Sequence, residues 1–364
     1  MKTKRFILIA LLALGVLVLS ACSGGNTVAN NWHGLAADAE RAYVSAGSFV
    51  YSVNLKNGSE VWRYPAKADN NILFFANPIL TADGQLLIGS AGAKNHEFVS
   101  LDPVTGKEKW AKAFVGAKGA WVASPLVLND TIYAPNSDGF LYILDMSGNQ
   151  VADPIEVGGT LWSAPATDGT LIYLSSLDHF LHVIDPSTNT VLNEVDLGGA
   201  IPSSPAVNED GAYTGSFAST IEFVKSNGSH NVVMKTENRV WGSPVIDGTT
   251  LYFSDLNGKV YSIDLSTGNQ NWVVQPNGSV VASLLIVGDQ IYVASEADPT
   301  SENGTLVALD REGKTVWTKE VGGKLYTTPV ASGDLILVVP YQAEFTLAAY
   351  DVDGKQAWTF TPAK

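Results

Sequence analysis

A unit of about forty residues recurs eight times along this chain, and that recurrence constrains the fold more than any other feature. Its clearest part is an aliphatic or aromatic alternation that ends in an acidic residue. A turn glycine follows, then a tryptophan four positions later. The second unit reads Val99-Ser100-Leu101-Asp102-Pro103-Val104-Thr105-Gly106 and reaches Trp110; the sixth reads Val260-Tyr261-Ser262-Ile263-Asp264-Leu265-Ser266-Thr267-Gly268 and reaches Trp272. The first unit has Asn54, Gly58 and Trp62, the seventh Asp310, Gly313 and Trp317, the eighth Asp351, Gly354 and Trp358. Units three and four keep Asp145 and Asp185 without the tryptophan, and unit five, around Ile221 to Gly228, lacks both markers.

A second marker precedes the first by some twenty residues: a small residue followed by proline, at Asn77-Pro78, Ser124-Pro125, Ala164-Pro165, Ser204-Pro205, Ser243-Pro244 and Thr328-Pro329. Units one and seven carry Gly34-Leu35 and Ser283-Leu284 there. Between these markers, short alternating runs of β-branched and aromatic residues are bounded by Asp-Gly, Asn-Gly and Thr-Gly turns, which spells strands. In unit six the pattern predicts strands over 243–246, 250–254, 259–263 and 271–274, with the proline as first strand residue, where its missing N–H costs little. The aspartate before the turn is placed to accept hydrogen bonds from turn amides.

A four-stranded antiparallel sheet with two apolar faces cannot shield both alone. Such sheets stack face to face around an axis. The predicted fold class is therefore all-β: an eight-bladed β-propeller of four-stranded antiparallel blades over residues 31–364. Trp62, Trp110, Trp272, Trp317 and Trp358 are read as structural inter-blade wedges, each able to bury roughly 200 Å².

The amino-terminal end carries a different signal. Lys2, Lys4 and Arg5 precede an apolar run, Phe6 to Leu19, and then Leu19-Ser20-Ala21-Cys22, the lipobox pattern of bacterial lipoproteins. The run is shorter than the ~20 residues that span a bilayer. Residues 1–21 are thus expected to be a lipoprotein signal peptide that is removed, Cys22 the lipidated residue and membrane anchor, and 22–30 a flexible tether. Cys22 is the single cysteine of the chain, so no disulfide can form within the mature protein. Ser23 after the cysteine, rather than an inner-membrane-retaining aspartate, favours the periplasmic face of the outer membrane in a double-membraned cell, or the outer face of the cell membrane otherwise. The net charge of −14 becomes more negative once the three basic leader residues are removed. That argues against nucleic acid as a partner.

The small-Pro start, the Asp-x-x-Thr-Gly-x-x-x-Trp turn and the eight copies together resemble the quinoprotein-type (PQQ-like repeat) β-propeller family, across essentially the whole mature chain. Joined to a lipobox, they are most similar to the lipoprotein accessories of the outer-membrane barrel-assembly machine. The resemblance implies a monomeric, non-catalytic scaffold that binds envelope proteins. The same family includes quinone-dependent alcohol dehydrogenases, for which it implies a calcium ion, a catalytic aspartate and adjacent cysteines. With Cys22 alone, and without large insertions to build a pocket, no cofactor is expected, and neither a catalytic residue nor a metal ligand is assigned. His179 and His182, three apart on an expected strand, point to opposite faces and cannot readily share an ion. A small-molecule or polysaccharide module at the cell surface remains an alternative.

One set of residues stands apart. Three positions before each proline or its equivalent lie Trp32, Phe75, Trp162, Trp241 and Tyr326, with Trp121 one position out; Pro202 and Val281 occupy two other units. In a propeller this gives a near-ring of aromatics around one mouth of the hub. It reads either as a surface for a partner or ligand or as packing between blades. The arc of units three to five, lacking the wedge, is a second place where a partner could dock, by strand addition for instance.

Overall fold

The computed structural model describes residues 33–363, apart from 70, 93–95, 114–116, 277, 297–300 and 302. The chain divides into residues 1–30, which lie outside the described residues along with Cys22 and Trp32, and a unit spanning 31–364.

That unit contains 32 strands, β1–β32 in chain order, and no helix among the described residues. They form eight four-stranded sheets, each of four strands consecutive in sequence. Blade one is typical: β1 (Gly34–Ala37), β2 (Arg41–Ala46), β3 (Phe49–Asn54) and β4 (Glu60–Tyr64), every neighbour antiparallel. First strands of adjacent blades approach one another, as β13 (Ala166–Thr167), β17 (Ala206–Asn208) and β21 (Val245–Asp247) do, so they line the hub and the fourth strands form the rim. The expected strands of blade six are observed to within one residue, except that the first begins at Val245, two residues late. Pro244 therefore precedes the strand instead of opening it, and Pro78, Pro125, Pro165, Pro205 and Pro329 do the same. The residue before each proline has a different duty.

That duty is a run of hydrogen bonds around the hub. The Ala164 N–H donates to Ser204 Oγ at 2.9 Å, the Ser204 N–H to Ser243 Oγ at 2.9 Å, the Ser243 N–H to Ser283 Oγ at 2.8 Å and the Ser283 N–H to Thr328 Oγ1 at 3.1 Å. Leu35 N–H to Asn77 Oδ1, at 3.0 Å, joins blades one and two in the same sense. A short oxygen-bearing side chain is what this position needs, because backbone N–H groups at the innermost edge have no strand beyond them.

At the rim the wedge tryptophans tie each blade to the next. Their Nε1–H groups donate to Pro103 O from Trp62, Met146 O from Trp110, Arg311 O from Trp272, Val352 O from Trp317 and Leu55 O from Trp358, all at 2.8–3.1 Å. Each acceptor follows the acidic or amide residue of the next blade's turn. The indole ring lies on that turn's glycine: a Cβ on Gly106 would meet Trp62 at 2.5 Å, and one on Gly313 would meet Trp272 at 2.8 Å. The glycine and the tryptophan of the motif are thus halves of two different contacts. Asp102 behaves as expected, its Oδ1 accepting from Val104 N and Thr105 N.

Room for the indole comes from the third strand. Opposite each wedge stands a small residue: Ser52, Ser100, Ser262, Ala308 or Ala349. A β-bulge immediately follows each pair and turns the ring toward the next blade. The residue extruded by the bulge faces outward, which accounts for exposed Val61 and Val316. Where the tryptophan is missing, the facing position is larger. Val183 stands opposite Asn193 and Phe223 opposite Asn231, and in blade five the bulge has moved two residues, to Ile221/Glu222.

The ring closes without sharing strands. Blade eight, β29 (Val330–Ser332) to β32 (Gln356–Phe360), meets blade one through Trp358, through Ser332 Oγ donating to Asp38 O at 2.7 Å, and through Thr327 Oγ1 donating to His33 O. Their shared core holds Val44, Val53, Leu337, Leu347 and Phe360, all nearly or fully buried.

Candidate functional site

The strand-to-blade linkers all run over one face, zipped to the turns between second and third strands. Ser137 N–H donates to Ala120 O, Leu177 N–H to Thr160 O, Phe217 N–H to Ala200 O and Tyr341 N–H to Lys324 O within the same blade. Others cross the seam, as Trp121 N–H to Ser90 O and Val240 N–H to Ser216 O do. The aromatic positions picked out by the proline register lie on these linkers.

Alternation along the linker separates them. The residue four before each proline points into the seam and is buried: Phe74, Trp121, Leu161, Ile201, Val240 and Leu325, the last before Pro329. Trp121 belongs to this inward set. It is fully buried between Phe98 and Tyr142, at ring distances of 5.5 and 5.1 Å, and cannot reach a partner. Its place in the aromatic ring is corrected accordingly: one position of offset carries it from surface to core. Phe75 is also mostly buried. Trp162 is 37% exposed, and Trp241 and Tyr326 are partly exposed. Trp32 lies outside the described residues.

The second-to-third-strand turns add aromatics that the proline register did not reveal. Phe217 packs on Trp241 with centroids 5.2 Å apart, and the Arg239 guanidinium lies 5.5 Å from the Phe217 ring. Tyr341 lies between Tyr326, at 6.1 Å, and His33, at 6.4 Å. Burial first, then a hydrogen bond to Glu296, raises the Tyr326 phenol above the ordinary tyrosine range. Phe217 and Tyr341 occupy one repeat position, the turn residue whose N–H reaches the linker. Aligning those turns, rather than the prolines, would have found them. The face carries two aromatic pairs, Phe217–Trp241 with the Arg239 cation and Tyr326–Tyr341, together with the exposed Trp162, and such rings can hold an apolar or aromatic segment.

Nothing in the described residues adds a reaction centre. No group of three or more His, Cys, Asp or Glu residues among them could hold a metal ion. His179 sits in a turn at φ 83°, not on a strand, whereas His182 is 1% exposed inside β15 (Phe180–Asp185). The one cysteine of the chain, Cys22, lies outside the described residues. No helix of the described residues is long and apolar enough to cross a membrane.

Fold and site define a class: an eight-bladed propeller of PQQ-like repeats that presents an aromatic face. Over residues 18–162, 224–300 and 299–363 the chain matches the family described as "Outer membrane protein assembly factor BamB", and it belongs to that family. The unmatched stretch, 163–223, falls in the arc without wedge tryptophans.

Among curated relatives, the BamB of Burkholderia pseudomallei is 27% identical over 118 residues, 32% of this chain and 29% of that protein. The BamB of Kangiella koreensis is 33% identical over 93 residues, 25% of this chain and 21% of the relative. The matches thus span less than a third of these relatives' length. Two solved structures share the fold. The crystal structure of BamB from Moraxella catarrhalis has a TM-score of 0.65 at 18% identity, covering 88% of this chain and 91% of that one. The computationally designed Ika8 protein has a TM-score of 0.71 at 13% identity, covering 89% and 97%.

Proposed function

We propose that the chain is a non-catalytic scaffold of the cell envelope, held at a membrane by a lipid on Cys22 and serving outer-membrane β-barrel assembly. Its partners are envelope proteins, a BamA-like barrel-assembly protein foremost, and it acts as a single monomeric propeller. The family match along the blades carries this reading, and relatives named as assembly factors support it. The aromatic face of Trp162, Trp241, Phe217, Tyr326 and Tyr341 is the contact surface: large rings on short linkers give area at little entropic cost. In a double-membraned cell the protein sits on the periplasmic side of the outer membrane.

Capture of the lipidated chain from native membranes tests the role. A BamA-like barrel protein is expected to co-purify, and a Trp162→Ala/Trp241→Ala variant to recover clearly less of it. Recovery of no envelope protein above background would end the proposal. The absence of catalysis has its own check. Pyrroloquinoline quinone with calcium is expected to leave the melting temperature unmoved, whereas ligand at about 100 times its Kd would stabilise a true binder by ~2.7 kcal/mol.

A further inference from the structure

Seven of the eight seams have a side chain at the outer corner where a tryptophan meets the next blade's turn. Five are closed by Trp62, Trp110, Trp272, Trp317 and Trp358. Between blades four and five, Asn193 substitutes: its Nδ2 donates to Ser226 O at 2.9 Å, and its side chain stands 2.8 Å from where a Gly228 Cβ would be. Between blades three and four the turn position is Asn189, at φ 54°, and its own side-chain oxygen is buried.

The seam between blades five and six differs. Gly268, at φ 71°, holds the turn position that indoles cover elsewhere, and a Cβ placed on it would meet nothing within 4 Å. Asn231, which faces Phe223 as the tryptophans face their serine or alanine, is short and exposed. Phe223 does not fill the corner. Its ring folds back on Tyr213 in its own blade, 4.6 Å between centroids. Phe223, Val233, Met234, Ile246 and Leu265 are all partly buried against the blade five–six core and make the seam below the bare turn apolar. Leu265 follows Asp264, so its carbonyl is the counterpart of the five carbonyls that accept an indole N–H.

The geometry points to this corner as a receptor for a tryptophan presented by an extended segment of another protein. The ring lies on Gly268 and the indole N–H reaches Leu265 O, as five of the chain's own tryptophans do at their seams. A valine flank suits the partner segment, because Val273, 39% exposed, pairs with Tyr261 of the blade five–six core and so lies on the side of blade six that faces the corner. This docking does not depend on the barrel-assembly role, and either can fail alone.

The probe is a peptide of the chain's own wedge strand, Thr-Val-Trp-Thr-Lys-Glu-Val, the sequence of residues 315–321, titrated into the full mature chain by calorimetry. Saturable binding is expected, roughly tenfold weaker when the peptide tryptophan is alanine. A Gly268→Asn variant, which tolerates positive φ and copies the plug at Asn189, is expected to weaken binding of the tryptophan peptide to the same degree. Gly248→Asn, at an open turn elsewhere in blade six with φ 58°, is expected to leave it unchanged. Equal affinity for the two peptides, indifference to Gly268→Asn in a variant of unchanged melting temperature, or no saturable binding up to about 1 mM would each overturn the proposal.

Discussion

Trp272 shows what a single wedge side chain does. Its ring packs beside Tyr252 at 5.9 Å, covers Gly313, and donates to Arg311 O at 2.8 Å. Trp272→Ala is expected to cost about 3 kcal/mol through the cavity it leaves. Trp272→Phe keeps most of the ring but strands the carbonyl, and is expected to cost about 1 kcal/mol. Urea unfolding of the two variants separates packing from hydrogen bonding. His182 makes a different case. Burial holds its imidazole pKa below the usual 6.5, outweighing the pull of Asp178 and Glu194, the latter 3.7 Å away. Its contribution is intact above pH 6.5 and is lost as acid protonates the unfolded chain first. Melting temperature should therefore fall less between pH 7 and 5 in His182→Phe than in the parent. His33 is lowered by burial too and leaves a residual slope of the same sign. Parallel slopes for parent and variant would show that His182 takes no part.

Within a blade, wedge and facing residue must match in size. Asn193→Trp alone is expected to overpack against Val183 and cost about 1–3 kcal/mol, and Val183→Ala alone about 2 kcal/mol. Together they recreate the pairing of Trp317 with Ala308, and a double-mutant cycle should return a favourable coupling of at least ~1 kcal/mol. Additive losses would refute the size rule. This element was half legible beforehand. The periodic tryptophans, turn glycines and small-Pro steps announce eight four-stranded sheets, because each marks a place where one side chain must meet its copy in the next repeat. The sequence does not announce that the glycine receives the preceding blade's indole, since the two contacts overlap in one motif. Trp121 shows the limit at the site. A ring read by offset from a proline is surface or core depending on a single step of alternation, and a turn aromatic such as Phe217 has no proline to mark it.

For the whole ring, the seam between blades eight and one stands apart, because no backbone crosses it. Side-chain donors on backbone carbonyls hold it, Trp358 at the rim and Thr327 and Ser332 near the hub, together with the core the two blades share. Trp358→Ala is expected to speed hydrogen exchange of β1 and β29 amides by roughly tenfold or more while leaving blades four and five unaffected. A uniform rise across all blades would mean the ring opens only by unfolding globally.

The hub N–H donations and the rim indoles run in the same rotational sense, each blade giving to its successor, while Ser124 Oγ of blade three donates back to Asn77 O of blade two. Such contacts are head-to-tail, and five of the eight seams repeat the same indole joint. A duplicated or deleted blade seven, which receives Trp272 and gives Trp317, would leave the same two hands for its neighbours. A lineage built from such units can change its count without inventing a new kind of joint.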